Sequence, residues 1–521
     1  MGLSASIGIY YGFVGSKQKT TTEYLLAGRS MGFLPVSMSL LASFFTGIFL
    51  QGVTADVYFR TGCLSIWIGV SGAIAAWIGA RCFLPIYYRF QFISIYEYLE
   101  LRFNPFTRNL GLLVCYLFFI LQSGVTTFAG SLALTSVSNF DLNACIFTLS
   151  AVCIFYTVLG GMKAILWADF FQMLLSVAAL LSVFIYVPLQ VGGISRVMDI
   201  AREGGRTQVF ELSLEPSTYM TFWNIGVFGV ISWMPSQCTF QHQVQRTLSC
   251  KDFKTANMAL LIYGIGLMVV TYLCVLAGLC LYAYYVDCDP YSSGRLAYTD
   301  GLLPFFLIDA FNHLPGIPGL LVSGLCCLAL STVSSILNGL SAVTGKHVIK
   351  SFWSDLSETT FTVITKFLVL VFGVIILGVT FLMPKLGSLI ATALGILGVA
   401  NGPILGVFSM GIFIPQVNTK GALAGFFVAT AIGIWIIIGS IIYPAPIEHL
   451  PLSTDGCLSS TVAYNLTTPV TLFSTAEETT APVSNGPGIA NFYALSRLWY
   501  TPLNFGITVI VGIVVSFLTG R

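Results

Sequence analysis

Between Leu330 and Asn338 the chain reads Leu330-Ser331-Thr332-Val333-Ser334-Ser335-Ile336-Leu337-Asn338, four hydroxyls and an amide in a segment otherwise apolar enough to cross a membrane. On a helix Ser331, Ser334 and Ser335 share one face, because residues three and four apart are neighbours. Thr332 lies about a sixth of a turn from Ser335 and widens that face into an oxygen-lined strip. A small, hard cation stripped of its water takes several oxygen ligands of this kind. The same residue types also serve helix–helix packing in membranes, so the strip alone leaves both readings open. A second oddity is Asp169, in Trp167-Ala168-Asp169-Phe170-Phe171-Gln172, about two turns into a span that follows Gly160-Gly161. It reads either as the partner of an inner-end cation such as Lys163 or as a carboxylate on a cation path.

The elements that position these groups must be membrane helices. The 521 residues are 56% hydrophobic and 8% charged, and so few charges cannot cover a soluble surface of that size. About thirteen apolar runs recur, near Leu3–Val14, 34–58, 63–88, 110–137, 142–159, 163–190, 220–241, 256–286, 318–345, 361–383, 387–414, 421–443 and 501–519. The first is too short to cross alone and reads as the end of a helix. Lys and Arg concentrate on one set of alternate loops, among them Lys17, Arg29, Arg102, Lys163, Arg246, Lys346 and Lys420. The other set holds Arg60, Arg196, Arg202, Arg206, Arg295, Lys385 and Arg497. The richer side is expected in the cytoplasm.

The opposite side then carries residues 444–500, a Ser-, Thr- and Pro-rich stretch containing the sequon Asn465-Leu466-Thr467. A glycosylation sequon is useful only outside, so the two assignments agree. Most of the thirteen cysteines fall in apolar spans and read as small hydrophobes. Cys288 and Cys457 lie in outer loops, where a disulfide between them is possible. A net charge of +2 spread over loop anchors gives no nucleic-acid surface, and His242, His313, His347 and His449 lack metal-ligand spacing. No phosphate-binding loop or paired acidic motif suggests an enzyme.

Two spans are interrupted. Span 34–58 contains Leu41-Ala42-Ser43-Phe44-Phe45-Thr46-Gly47-Ile48-Phe49-Leu50-Gln51-Gly52, and span 220–241 contains Gly226, Gly229 and Trp233-Met234-Pro235. Each opens a set of five spans, the arrangement of inverted repeats with a midplane site between discontinuous helices. Small residues that only allow close packing would look the same.

Tyr156-Thr157-Val158-Leu159-Gly160-Gly161-Met162-Lys163-Ala164, with Trp167-Ala168-Asp169, resembles the signature of the solute:sodium symporter family. Gln243-Val244-Gln245-Arg246 matches a second family motif. Pro415, Asn418, Gly421, Ala422 and Gly425 fit a third, although Gln416 stands where that pattern has a basic residue. The resemblance implies an all-α polytopic membrane protein with a five-plus-five inverted-repeat (LeuT-type) core and extra flanking helices. Residues 1–33 would be a partial first helix and a cytoplasmic loop, and 34–190 the first repeat. An outer loop at 191–219 separates it from the second repeat at 220–414. One more helix (415–443), an outer loop (444–500) and a last helix (501–521) follow.

The resemblance also implies sodium as the co-transported ion. One sodium site would comprise the carbonyls of Ala42, Phe45 and Leu328 and the hydroxyls of Ser331 and Thr332. A second would use Thr46, Ser331, Ser334, Ser335 and Asp169. Phe44 replaces the Asn of sugar-carrying members. The hydroxyl run and Asp287-Cys288-Asp289-Pro290 look most like the branch of sodium-coupled monocarboxylate, multivitamin and iodide transporters. Phe49, Phe128 and Pro235-Ser236-Gln237-Cys238 depart from that branch, so the pocket differs where the ion ligands do not.

The expectation is a multi-pass plasma-membrane symporter importing a small organic anion, most simply a monocarboxylate, by alternating access with two sodium ions. Phe44, Phe49, Phe128 and Trp233 would form apolar walls. No Arg or Lys is expected near the broken segments, so the anion would face a half-helix N-terminus and a bound ion. A tenfold sodium gradient supplies about 1.4 kcal/mol per ion, and a net charge adds about 2.3 kcal/mol per 100 mV. Two sodiums per anion therefore sustain accumulation on the order of a thousandfold, against roughly tenfold for one. Biotin, pantothenate or iodide are alternative cargoes, and a channel or substrate-sensing receptor is the alternative class. The sequence leaves the oligomeric state open.

Overall fold

The computed structural model describes residues 2–15, 18, 20–135, 138, 140–296, 299–386, 399, 401–443, 449–457 and 493–520. Asn465 lies outside the described residues. Those residues are helical throughout, apart from loops and one isolated bridge between Met31 and Cys250.

In chain order the principal helices are α1 (Gly2–Phe13), α2 (Phe33–Phe44), α3 (Gly47–Asp56), α4 (Ile66–Ile78), α5 (Pro105–Thr135), α6 (Leu142–Val191), α7 (Gly229–Cys238) and α8 (Gln241–Thr247). They continue as α9 (Phe253–Tyr284), α10 (Ile317–Thr344), α11 (Glu358–Leu386), α12 (Asn401–Phe413), α13 (Thr419–Ile442) and α14 (Tyr500–Thr519). Among the described residues eight helical stretches are long and apolar enough to cross a membrane, and α2 and α12 are shorter apolar helices.

α6 shows how local chemistry sets the topology. Its 50 residues would span about 75 Å as one rod, more than twice the hydrocarbon thickness. It turns at Gly161, with φ 57° and ψ −156°, a conformation essentially closed to side-chain-bearing residues. A Cβ there would also stand 2.6 Å from the Tyr24 ring. The Gly-Gly of the signature motif is thus a corner between two crossings, as spans 142–159 and 163–190 anticipated.

The expected interruption of span 34–58 falls at Phe45–Thr46, between α2 and α3. Span 220–241 is irregular at its glycines, as expected, and unwinds again beyond the proline. A π-helical turn (Phe222–Val227) leads into α7, which runs through Pro235 and ends at Cys238; the chain unwinds at Thr239–Phe240. Proline removes only its own donor, and its carbonyl still accepts, so the helix continues a turn beyond it. Pro235 O accepts from the Thr239 and Phe240 amides at 2.9 and 3.0 Å. The break therefore trails the proline by one turn. Met31 bonds to Ser249 and Lys251 through its backbone, which ties the start of α2 to the end of α8.

α10 is the central helix. Of its most apolar stretch 89% is buried, against 28% for α14, and it packs on α5, α6 and α2. Its hydroxyls therefore face protein rather than lipid.

Candidate cation and substrate site

The break at Phe45–Thr46 redirects hydrogen bonds in a specific way. The Thr46 amide bonds to Phe44 O at 2.8 Å, and the Phe49 amide bonds to Thr46 Oγ1 at 3.1 Å. In a continuous helix those amides would go to the Ala42 and Phe45 carbonyls. Both carbonyls are thereby relieved of their helical donors at the point where α2 faces α10.

On α10 the hydroxyl protons turn back onto their own helix. Thr332 Oγ1 donates to Leu328 O at 3.0 Å. Ser334 and Ser335 donate to Ser331 O at 3.1 and 2.8 Å. A hydroxyl that donates to a carbonyl keeps its lone pairs for another partner. Ser331, Thr332, Ser334 and Ser335 are all buried. Ser43 on α2 joins them, its Oγ lying 3.0 Å from Ser331 Oγ.

Asp169 is fully buried on α6, and its partner is Arg246 rather than Lys163. Arg246 Nη2 lies 3.0 Å from Asp169 Oδ2, with both side chains inaccessible to solvent. Ser39 donates to the same oxygen at 2.6 Å. The guanidinium also donates to Ser43 Oγ and Ser335 Oγ, to Ser39 O at 2.9 Å and to Gln243 Oε1 at 3.3 Å. Arg246 was expected to be a cytoplasmic loop anchor, and no cation was expected near the broken helices; the structure corrects both readings. The Gln-Val-Gln-Arg motif forms α8, which re-enters the protein. Gln245 is buried and donates to Leu25 O at 2.8 Å, and this anchoring turns Arg246 inward.

The expected residues are thus brought together unevenly. Ser331, Ser335 and Thr332 meet α2 through Ser43, Arg246 and a long contact to Ser43 O at 3.5 Å. Thr46 caps α3 at the break. Ser39 and Ser43, which touch Asp169 and Ser331, were not singled out in the sequence. Their spacing of four places them on one face of α2, and that was the available signal.

Above this cluster the aromatic walls assemble in part. The Phe44 ring lies 5.2 Å from Phe49 and 5.4 Å from Trp233, and Phe49 lies 5.8 Å from Trp233. Tyr263 of α9 joins at 6.2 Å from Phe44. Phe128 is buried elsewhere, in a cluster with Ile146 and Met383. Beside the rings, Leu40, Ser236, Gln237, Gln243, Thr247 and Tyr263 line a narrow crevice too tight to admit a water molecule. Among the described residues Trp233 Nε1 and Gln237 Oε1 are buried without a hydrogen-bond partner, while Gln237 Nε2 donates to the Tyr263 hydroxyl at 2.9 Å.

The comparisons agree with this architecture. The family model for the sodium:solute symporter family matches residues 24–429. The chain is 39% identical over 522 residues to sodium-coupled monocarboxylate transporter 1 of Xenopus laevis, covering 99% of this chain and 84% of that protein. It is 38% identical to the Homo sapiens protein of the same name, covering 99% and 85%. Its fold is similar to that of a sodium-coupled sialic acid symporter in a substrate-bound outward-open state. There the TM-score is 0.79 at 22% identity, over 100% of this chain and 96% of that one. Its motifs, its broken helices and the family match together establish that this chain belongs to the sodium:solute symporter family and is a multi-pass membrane transporter, not an enzyme, with sodium as its co-transported ion.

Proposed function

We propose that this protein imports a small organic anion, most simply a monocarboxylate, together with two sodium ions by alternating access at the plasma membrane. The observation that carries the reading is the meeting of the α10 hydroxyl strip with the Phe45–Thr46 break, where two carbonyls have lost their helical donors. One sodium is assigned to Ala42 O, Phe45 O, Leu328 O, Ser331 and Thr332. The second is assigned to Asp169 with Ser331, Ser334, Ser335 and Thr46.

The second site has a tethered competitor. Arg246 already bonds to Asp169 and Ser335, two of the assigned ligands. A sodium ion and a guanidinium cannot both be neutralised there, since like charges within a few ångströms repel strongly in a low dielectric. Sodium entry thus requires the arginine to withdraw, and its return would help expel the ion toward the cytoplasm.

For the anion, the Trp233 indole N–H is a buried donor without a partner among the described residues, suited to a carboxylate oxygen. Gln237 Oε1 is an acceptor suited to a substrate hydroxyl. Phe44, Phe49 and Trp233 would enclose a short acyl chain. That the relatives carry the name monocarboxylate transporter supports the class.

The test is current and labelled uptake in the same cells, with lactate, pyruvate, butyrate, biotin, pantothenate and iodide offered in turn. Inward sodium-dependent current with a short monocarboxylate, at two sodiums per substrate, is expected. Flux only of biotin, pantothenate or iodide would overturn the substrate class, and a one-to-one electroneutral uptake would overturn the second ion.

A further inference from the structure

The outer end of the broken helix is held by a separate piece of chain. Beyond α3 the backbone widens into a π-helical turn, Val57–Thr61, which leaves carbonyls available to outside donors. Two of them are taken by distant segments. The fully buried Arg206 donates to Tyr58 O at 2.7 Å, and the Leu450 amide donates to Phe59 O at 2.8 Å.

Leu450 belongs to residues 449–457, part of the long outer loop. This short strap is also fixed at its far end. Cys457 is disulfide-bonded to Cys288, the Gly456 amide bonds to Asp287 O at 2.8 Å, and the Asp289 amide bonds to Ser453 O at 2.9 Å. Asp289 in turn accepts the Tyr58 hydroxyl at 2.7 Å. Arg206 closes the circuit by donating to Pro451 O at 3.1 Å and Gly204 O at 2.7 Å, with its guanidinium 3.5 Å above the Tyr282 ring. Gly62 lets the Arg206 backbone sit directly on this turn: its φ is +52°, and a Cβ there would overlap Arg206 O.

We propose that the strap 449–457, locked by Cys288–Cys457 and by Arg206, is an extracellular latch. It holds α3 against the end of α9 and so sets how readily the outer gate opens, and reduction of the disulfide releases it. Tyr58 and Phe59 are the handles. The strap holds Phe59 directly through the Leu450 amide, and it braces the two groups that hold Tyr58, Asp289 through Ser453 O and Arg206 through Pro451 O, so freeing it loosens the outer half-helix without touching the residues assigned to the ions. The inference rests on the reading of α3 as a moving half-helix, and the experiment separates the two.

Val53 on α3 is buried, 7% exposed. In intact cells the labelling of Val53→Cys by a membrane-impermeant thiol reagent is compared with that of the parent, whose other free cysteines are buried or half-buried. The comparison is repeated with Cys288→Ser and Cys457→Ser added, at equal surface abundance. Labelling roughly fivefold faster with the strap freed is expected, the size of a modest shift in an opening equilibrium. In the unmutated protein an impermeant reductant should shift the sodium concentration for half-maximal current, and reoxidation should reverse it, which a merely misfolded variant would not do. Labelling that responds to sodium but not to loss of the disulfide would overturn the latch and leave alternating access standing. Labelling that responds to neither would overturn the motion of α3 and the latch with it.

Discussion

Among the described residues two arginines are wholly buried, and they are built in opposite ways. Arg206 bonds to three backbone carbonyls and lies on the Tyr282 ring. Arg246 bonds to Asp169 and Ser335, both proposed above as ligands of the second ion, and also to Ser43 Oγ, Gln243 Oε1 and Ser39 O. Carbonyls have fixed positions and no alternative cation to meet, so Arg206 acts as a clamp. Asp169 and Ser335 are the groups assigned above to the second sodium, so on that proposal Arg246 is replaceable at its own site. Burial pushes the Arg206 pKa down, but an arginine has margin enough to stay charged. The lesson is that a buried cation is read from what it bonds to, not from its burial.

The widest separation between the two comes from removing the clamp. Arg206→Ala leaves the Tyr58, Gly204 and Pro451 carbonyls without their donor, each worth about 1–3 kcal/mol when desolvated. A total loss of about 3–5 kcal/mol is expected, seen as a lower unfolding temperature of the purified protein and reduced surface abundance. Arg206→Lys should rescue little, because one ammonium cannot span three carbonyls in a plane. If Arg206→Ala were as stable as the parent, the contrast would collapse.

Asp169→Asn comes next. It strands the Arg246 charge in a buried site, a loss of about 3 kcal/mol or more. Arg246→Gln added to it should restore much of the abundance, because both charges are then gone. A double-mutant cycle on stability measures the coupling directly. Sodium dependence should not recover with abundance, since the second ion has lost its carboxylate. Recovery of both would make the pair purely structural, like Arg206.

A smaller effect is expected at the first ion. Thr332→Ala removes one hydroxyl among several ligands and should raise the sodium concentration for half-maximal transport about fivefold to tenfold, or roughly 1 kcal/mol. The variant should keep its stability, because Thr332 donates only to Leu328 O and, weakly, to Ser43 O. Normal sodium dependence would remove Thr332 from the site.

Much of this was legible in the sequence, and the exceptions have physical causes. Helix periodicity placed the hydroxyls of α10 on one face, and the glycines beside Phe45 marked a break. Gly160-Gly161 marked a corner. What the sequence hid was the third dimension. Arg246 looked like a loop anchor because hydropathy sees a charge beside a polar stretch, not a short helix that folds back under α2. Ser39 and Ser43 are not distinguished from other serines in the sequence, since nothing local says which face of α2 meets Asp169. In span 220–241 the glycines mark the irregular turn before α7, but the proline locates the far end of that helix only to within a turn, since it continues to Cys238. Phe128 was grouped with the pocket rings, yet it is buried among Ile146 and Met383.

The finest separation lies between the ion sites and the aromatic walls. Phe44 packs against the rings of Phe49, Trp233 and Tyr263, and its neighbours in sequence are Ser43, against Ser331, and Phe45, whose carbonyl is proposed above as a sodium ligand. If the walls bind only the anion, Trp233→Phe should weaken the substrate by the worth of one hydrogen bond, about 1 kcal/mol or roughly fivefold in half-saturation. Sodium half-saturation at saturating substrate should then stay unchanged. Phe44→Leu keeps apolar bulk but removes the ring contacts, and a threefold or smaller rise in substrate half-saturation is expected. Longer acyl chains should regain part of that loss by filling the space the ring vacates, so a chain-length series from acetate to hexanoate is the sharper measurement. A uniform loss across the series would assign Phe44 to helix packing. A change in sodium dependence of similar size would mean that the ring positions the Phe45 carbonyl, and that the boundary between wall and ion site runs through this residue.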